Sequence, residues 1–315
     1  MPTNPPVKSL RTPTFRSLRN FLLPKTPRPT LPWANESLHT RSVTSRPCRV
    51  LALINNKGGV GKTTLSVNLA AALAMRYRVL LIDLDPQGSA TRAIGRTPSD
   101  DILATLTHFF RGTVALDYSI RNTSIGGLDY IAGGLSLVEI ETELADAEHR
   151  DHRLNQGLAE IKGAYDYVII DCPPNFGLLA RNALVAADGF LAPVQPHFLG
   201  MEGLKNLNDL TRRYRSETLP LAPMLGIVLS MMDTRQQNML TIARNIRQKY
   251  GDLVLLTEIP YREKLAEAPM TGRSIFAYEG TSRAAHSFWR LSKEVIARLD
   301  RLMVSGSASL NTELA

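Results

Sequence analysis

Three stretches of this chain carry residues whose types and spacing suit phosphate chemistry. The first is Lys57-Gly58-Gly59-Val60-Gly61-Lys62-Thr63-Thr64. Glycines at 58, 59 and 61 let backbone N–H groups approach phosphate oxygens with no Cβ in the way. Lys62 can neutralise β- and γ-phosphates, and the Thr63 hydroxyl can ligate Mg²⁺. Val60 and Thr64 complete the loop. The usual pattern of this kind opens on a glycine where this chain has Asn56, and a second lysine, Lys57, stands beside it. The plainer alternatives are a glycine turn that binds nothing and, for Lys57, a solvated loop charge.

The second stretch is Asp83-Leu84-Asp85-Pro86-Gln87-Gly88, directly after the apolar run Val79 to Ile82. Two acids two residues apart can face one site only if the strand has ended near Asp83, and Pro86 supports that ending. A single acid in such a place is often only a turn or a helix cap. The third is Tyr167-Val-Ile-Ile-Asp171-Cys172-Pro173-Pro174. An apolar strand that delivers an aspartate at its end suits a carboxylate that holds Mg²⁺, usually through water. Cys172 has no partnered histidine at a recognisable spacing and reads as a small buried residue.

Strands and helices must position these groups. Val50 to Ile54 reads as a buried strand before the glycine loop, and Leu65 to Met75 as the helix after it. That helix points its positive dipole end at the loop. Val79 to Ile82 and the run before Asp171 read as further buried parallel strands, so the acids reach the edge where an open α/β sheet binds ligand. Ser99-Asp100-Asp101 is expected to cap a helix through Phe110. Short strands are expected near Tyr118 and over Leu128–Ile131, and a helix from Leu135 to about His149. Then come a helix over Leu178–Ala187, strands over Gly189–Val194 and Leu225–Met231, and a last helix from Ser282 to Met303. The alternation predicts an α/β fold with a mostly parallel sheet flanked by helices.

The charge is uneven. The chain has 315 residues and a net charge of +8, and residues 1–50 alone hold nine Lys or Arg against one acid, Glu36. The rest of the chain is balanced. Residues 1–46, rich in Pro, Thr, Ser and Arg, read as a disordered basic extension. A nucleic-acid tether, a transit segment and a start codon placed too early all remain open for it. Residues 47–304 read as one domain and 305–315 as a flexible polar tail. No apolar run reaches the roughly 18 residues of a spanning helix, so membrane insertion is not expected. Cys48 and Cys172 form no metal-spaced set, which argues against an iron–sulfur carrier.

The form Lys-Gly-Gly-Val-Gly-Lys-Thr resembles the deviant Walker A loop of the ParA/MinD family of P-loop ATPases. Asp83-Leu-Asp85-Pro-Gln resembles the family's switch I and Asp171-Cys-Pro-Pro its switch II. Val194-Gln-Pro with Glu202-Gly-Leu, and Ile259-Pro260 with Leu265-Ala-Glu-Ala-Pro269, extend the likeness over residues 50–304. The resemblance implies that Lys62 acts in cis and that Lys57 reaches across a dimer to the partner's phosphates. It implies that Asp85 orients the attacking water, that Asp83 lies near the metal's water shell, and that Pro260 and Arg262 lie beside the base. Arg262 departs from the asparagine common in relatives. It further implies nonspecific DNA contacts from Arg235 and Lys264. Arg244 and Arg247, three apart on a helix, join them or form an ordinary solvated face.

Carried over whole, the resemblance implies a slow, partner-stimulated ATPase that uses ATP and Mg²⁺. Such a protein is a homodimer with ATP and binds nonspecific DNA in the ATP state. It works with a ParB-like centromere-binding partner in chromosome or plasmid partition, and is cytoplasmic and nucleoid-associated. Three alternatives stand beside this. One is a relative that positions another cargo. Another is a MinD-like membrane-associated division-site regulator, disfavoured because residues 305–315 lack a basic amphipathic character. The last is a nucleotide-dependent scaffold without hydrolysis, which Asp85 argues against.

Overall fold

The computed structural model describes residues 47–95, 105–217 and 219–312. The expectations for residues 1–46 and for the Ser99–Asp101 cap lie outside these. From the first described strand the chain runs β1 (Arg49–Leu53), α1 (Lys62–Ala74), β2 (Val79–Asp83), α2 (Ser89–Ala93) and α3 (Leu106–Phe110). It continues through β3 (Ile120–Asn122), β4 (Leu128–Ile131), α4 (Leu137–Glu143), α5 (Arg153–Ile161), β5 (Tyr167–Asp171), α6 (Leu178–Ala186) and β6 (Gly189–Val194). The last part holds α7 (Phe198–Glu217), β7 (Met224–Leu229), α8 (Gln237–Tyr250), α9 (Glu263–Met270), α10 (Ile275–Glu279) and α11 (Arg283–Thr312).

The strands form one seven-stranded sheet in the order β3-β4-β2-β5-β1-β6-β7. Every pairing is parallel except β3 with β4 at one edge. The central strands are apolar throughout because both faces are covered. Val50, Ala52 and Ile54 point into one core with Phe110, Leu137, Leu158, Ala183, Leu204 and Ile246. Leu51 and Leu53 point into the other with Leu65, Leu69, Leu73, Phe276, Phe288 and Val295. Helix α1 is buried almost all round, between the sheet and α11, which explains its apolar and alanine-rich sequence. Among the described residues, no helix is long and apolar enough to cross a membrane.

The topology brings the acids together. β1 sits between β5 and β6, so the chain leaving β1 enters the crevice where strand order reverses. In register, Asp171 lies beside Leu53 on one side and Asp83 on the other. Both acids therefore stand at the carboxyl end of the sheet, next to the glycine loop.

Several local expectations are corrected. The helix expected from Leu135 to His149 spans only Leu137–Glu143, and the chain then turns, with His149 at a positive φ of 55°. Among the described residues, helix α3 spans Leu106–Phe110, where the Thr105 hydroxyl accepts the His108 N–H. Tyr118 lies in a short 3₁₀ turn, Leu116–Ser119, and the strand follows at Ile120–Asn122. β7 ends at Leu229, short of Met231, whose φ of 53° is incompatible with a strand. The last helix runs past Met303 to Thr312, taking in residues assigned to a polar tail.

Candidate functional site

The loop after β1 is shaped by backbone geometry. Gly59 and Gly61 have φ values of 75° and 88°. A Cβ on Gly58 or Gly59 would meet nothing within 4 Å, so both glycines face open space and not packing. Gly61 is the N-cap of α1, which has no side-chain cap and no acid in its first turn. Its first N–H groups and positive end are thus directed at the loop, the arrangement that suits an anion.

Side chains from three elements brace the loop. Asn55 Nδ2 donates to Pro193 O at 2.7 Å, and Asn55 Oδ1 accepts the Lys57 N–H at 3.0 Å. Ser230 Oγ donates to Val60 O at 2.8 Å, tying the loop to the end of β7. Gly203 on α7 packs against Asn56, whose buried Oδ1 has no hydrogen-bond partner among the described residues.

The two lysines of the loop have different surroundings. Lys62 is buried, with Nζ donating to Asn55 O at 3.2 Å and Lys57 O at 3.1 Å. Burial lowers its pKa, and Asp171 opposes that shift. Lys57 is half-buried, and its Nζ lies 3.4 Å from His197 Nε2.

Asp171 is fully buried and holds two hydroxyls of α1. Thr63 Oγ1 and Ser66 Oγ each donate to it at 2.8 Å. Asp83 is equally enclosed. Its Oδ2 accepts both the N–H and the hydroxyl of Thr91 at 2.8 Å, and its Oδ1 accepts the Asp85 N–H at 3.2 Å. Asp83 therefore shapes the turn that carries Asp85. Asp85, itself buried, in turn accepts the Gln87 N–H at 2.9 Å. Burial raises the pKa of both Asp83 and Asp171, and each carboxylate's neighbours are partly acidic. Two hard carboxylates and a hydroxyl converging in this way form a donor set suited to Mg²⁺ shared with phosphate and water. Cys172 is buried, and burial pushes its thiol far above the usual range.

A second site lies at the ends of β7 and α11. Met232, Arg235, Pro260, Tyr261, Arg262, Arg283, His286 and Arg290 line a cleft of about 490 Å³. Pro260 pairs with Met232 across the loops, and Arg262 is the N-cap of α9. Arg235 is exposed but paired with Asp233 at 2.9 Å, and Lys264 is paired with Glu267 at 2.9 Å. Among the described residues no ion pair engages Arg262, Arg283 or Arg290. Arg244 is exposed on α8. Arg247 is not on the same solvated face in effect, since it donates to Leu255 O at 3.0 Å and to Glu258 at 2.9 Å.

Residues 48–221 match a family model described as "AAA domain". The chain is 38% identical over 250 residues to the sporulation initiation inhibitor protein Soj of Bacillus subtilis, covering 79% of this chain and 98% of the relative. It is 38% identical over 261 residues to the chromosome partitioning protein ParA of Caulobacter vibrioides, covering 81% and 97%. The chain belongs to the ParA family. A solved structure of Mycobacterium smegmatis, titled cobyrinic acid a,c-diamide synthase with bound ADP and magnesium, is 31% identical with a TM-score of 0.64, over 74% of this chain and 96% of that one. The ParA-type fold is thus the mostly parallel α/β architecture expected.

Sequence reasoning about this ParA-family chain missed several supporting residues. Ser66 lies three residues after Thr63, one helical turn, so the shared face could have been read. Asn55, Thr91, Ser230 and His197 gave no such signal, because their partners are 8 to 170 residues away.

Proposed function

We propose that this protein is a Mg²⁺-dependent ATPase of ParA type that dimerises with ATP and binds DNA without sequence preference in that state. The observation that carries the reading is the different surroundings of the two loop lysines, Lys62 among the loop carbonyls and Lys57 beside His197. Lys62 lies inside the loop, where it serves its own subunit's nucleotide. Lys57 is half-buried and its Nζ makes no hydrogen bond to the loop carbonyls that hold Lys62, so a second copy can bring another nucleotide to it. Phe198, 78% exposed next to His197, offers apolar surface at the same mouth.

Gly58 to Thr64 would bind the phosphates through backbone N–H groups, with Lys62 as the cation. Pro260 and Arg262 would flank the base. Thr63 and Asp171, with Asp83 in the surrounding shell, would hold Mg²⁺, which neutralises charge building on the phosphates. Asp85, fixed by its turn, would orient the attacking water.

The basic cleft supports the DNA reading. Arg283 and Arg290 supply positive charge there without ion-pair partners among the described residues, and Arg235 and Lys264 could exchange their acids for phosphate. Arg244 would extend that surface. Such contacts carry affinity without reading bases. A ParB-like partner, slow partner-stimulated hydrolysis, a role in chromosome or plasmid partition and a cytoplasmic, nucleoid-associated location complete the proposal.

The test is binding of the full chain to random-sequence DNA with ATP, with ADP and without nucleotide. Binding with ATP alone is the expected result. Binding that ignores nucleotide would overturn the switch, and dimerisation without DNA binding in any state would favour a relative that positions another cargo.

A further inference from the structure

The segment 133–143 touches the chain that follows both acid-bearing strands, β2 and β5. Gly133 presses on the backbone oxygens of Asp83 and Asp85. Helix α4 comes next, anchored in the core by Leu137 and Ile140. Arg111 of the preceding turn holds Glu139 at 2.8 Å and Glu143 at 2.7 Å. Glu141 lies two residues from each, so it is turned by about 200° to the opposite side of the helix. There its carboxylate rests on Gly177, the N-cap of α6. A Cβ on Gly177 would lie 2.7 Å from Glu141 Cδ, 2.8 Å from Oε2 and closer still to Oε1. Gly177 has an extended backbone with φ −79°, which other residues adopt readily. Its backbone does not call for glycine; the carboxylate above it does. Glu141 Oε1 is buried with no hydrogen-bond partner among the described residues. Helix α6 has no side-chain cap and no acid in its own first turn, so this carboxylate also meets the positive end of a helix.

We propose that Glu141 is a positioning residue for the loop between Asp171 and α6. Its shape and charge hold Gly177 in place. Phe176, the residue before, packs on Tyr214 of α7 with ring centres 5.3 Å apart. The far end of the loop is thereby fixed at Phe176 and Gly177. Its near end is Asp171, which is held by Thr63 and Ser66. Losing the Glu141 contact frees Pro174 and Asn175, both exposed, just after the acid assigned to Mg²⁺. The inference rests on the ATPase reading of that site.

The measurement is phosphate release by the full chain with ATP and Mg²⁺, giving kcat, beside affinity for a fluorescent ATP analogue and melting temperature. Glu141→Ala should lower kcat about tenfold, the scale of a small displacement near reacting groups. Nucleotide affinity should stay unchanged, because the phosphate loop is untouched. Glu141→Gln keeps an oxygen over Gly177 and should hold kcat within about threefold of the wild type. Gly177→Ala should lower kcat as Glu141→Ala does, since its methyl group displaces the carboxylate. The double variant should be no worse than Glu141→Ala alone, because the clash is gone. Losses that multiply in the double variant overturn the proposal. So does a Glu141→Ala protein with wild-type kcat and only a lowered melting temperature, the mark of a purely structural role. Both results leave the ATPase reading standing. A wild-type chain that releases no phosphate from ATP brings down that reading, and this inference with it.

Discussion

Thr63 Oγ1 and Asp171 Oδ2 are 2.8 Å apart, with the hydroxyl donating from α1 to the end of β5. The contact joins the glycine loop to the strand that carries the second acid. It also leaves a buried carboxylate answered by hydroxyls, with Asp83 close enough to raise its pKa further. Both pKa values are raised above the ordinary carboxylate range, chiefly by burial. The native protein therefore holds protons that the unfolded chain gives up near pH ~4. The stability these groups contribute is complete below that value and is lost as pH rises through the raised native values. Melting temperature of the nucleotide-free protein should fall as pH is taken from about 5 to about 7.5. Asp83→Asn should flatten that slope, and an unchanged slope in the variant would refute the account.

Lys62 and Asp85 should separate binding from hydrolysis. Lys62 donates only to loop carbonyls, so Lys62→Ala should fold and lose nucleotide affinity by about 100-fold, the scale of removing a buried cation from a phosphate site. Asp85→Ala should keep nucleotide affinity and lose at least about 100-fold in turnover. Titration with a fluorescent ATP analogue and a phosphate-release assay read the two effects. Unchanged turnover in Asp85→Ala would point to a scaffold.

Gly133 follows β4 and presses against the turn that holds Asp85. A Cβ there would lie 2.7 Å from both Asp83 O and Asp85 O. Backbone cannot yield as a flexible side chain does, so Gly133→Ala should cost about 2 kcal/mol. It should also lower turnover by displacing Asp85. Urea denaturation beside the hydrolysis assay checks both, and a variant of wild-type stability would mean that the turn is softer than its hydrogen bonds suggest.

Arg247 and Arg290 should behave differently although both are arginines. Arg247 ties α8 to Leu255 and Glu258, so Arg247→Ala should cost about 1 kcal/mol of stability with little change in the salt dependence of DNA binding. Arg290→Ala should leave stability unchanged and reduce the slope of log affinity against log salt by about one phosphate contact. Filter binding over a salt series decides between them, and the reverse pattern would remove the cleft from the DNA surface.

The residue types of the phosphate loop, the two apolar strands ending in Asp83 and Asp171, and the alternation of strands with helices are all local. Each lies within a dozen or so residues, where glycine spacing and apolar runs carry the signal. That is why the loop, its lysines and the parallel sheet are legible in the sequence alone. Tertiary structure decided what those residues face. The register of β2 on β5 set Asp83 beside Asp171 and gave Asp83 to Thr91. The packing of β6, β7 and α7 around the loop chose Asn55, Ser230 and His197 as its braces. Leu255 and Glu258 took Arg247 out of the solvated face that its spacing suggested. A side chain's type is fixed by its codon, but its partner is fixed by which distant segment the sheet order brings alongside. Hydrogen bonds across such separations leave no periodic trace in the chain.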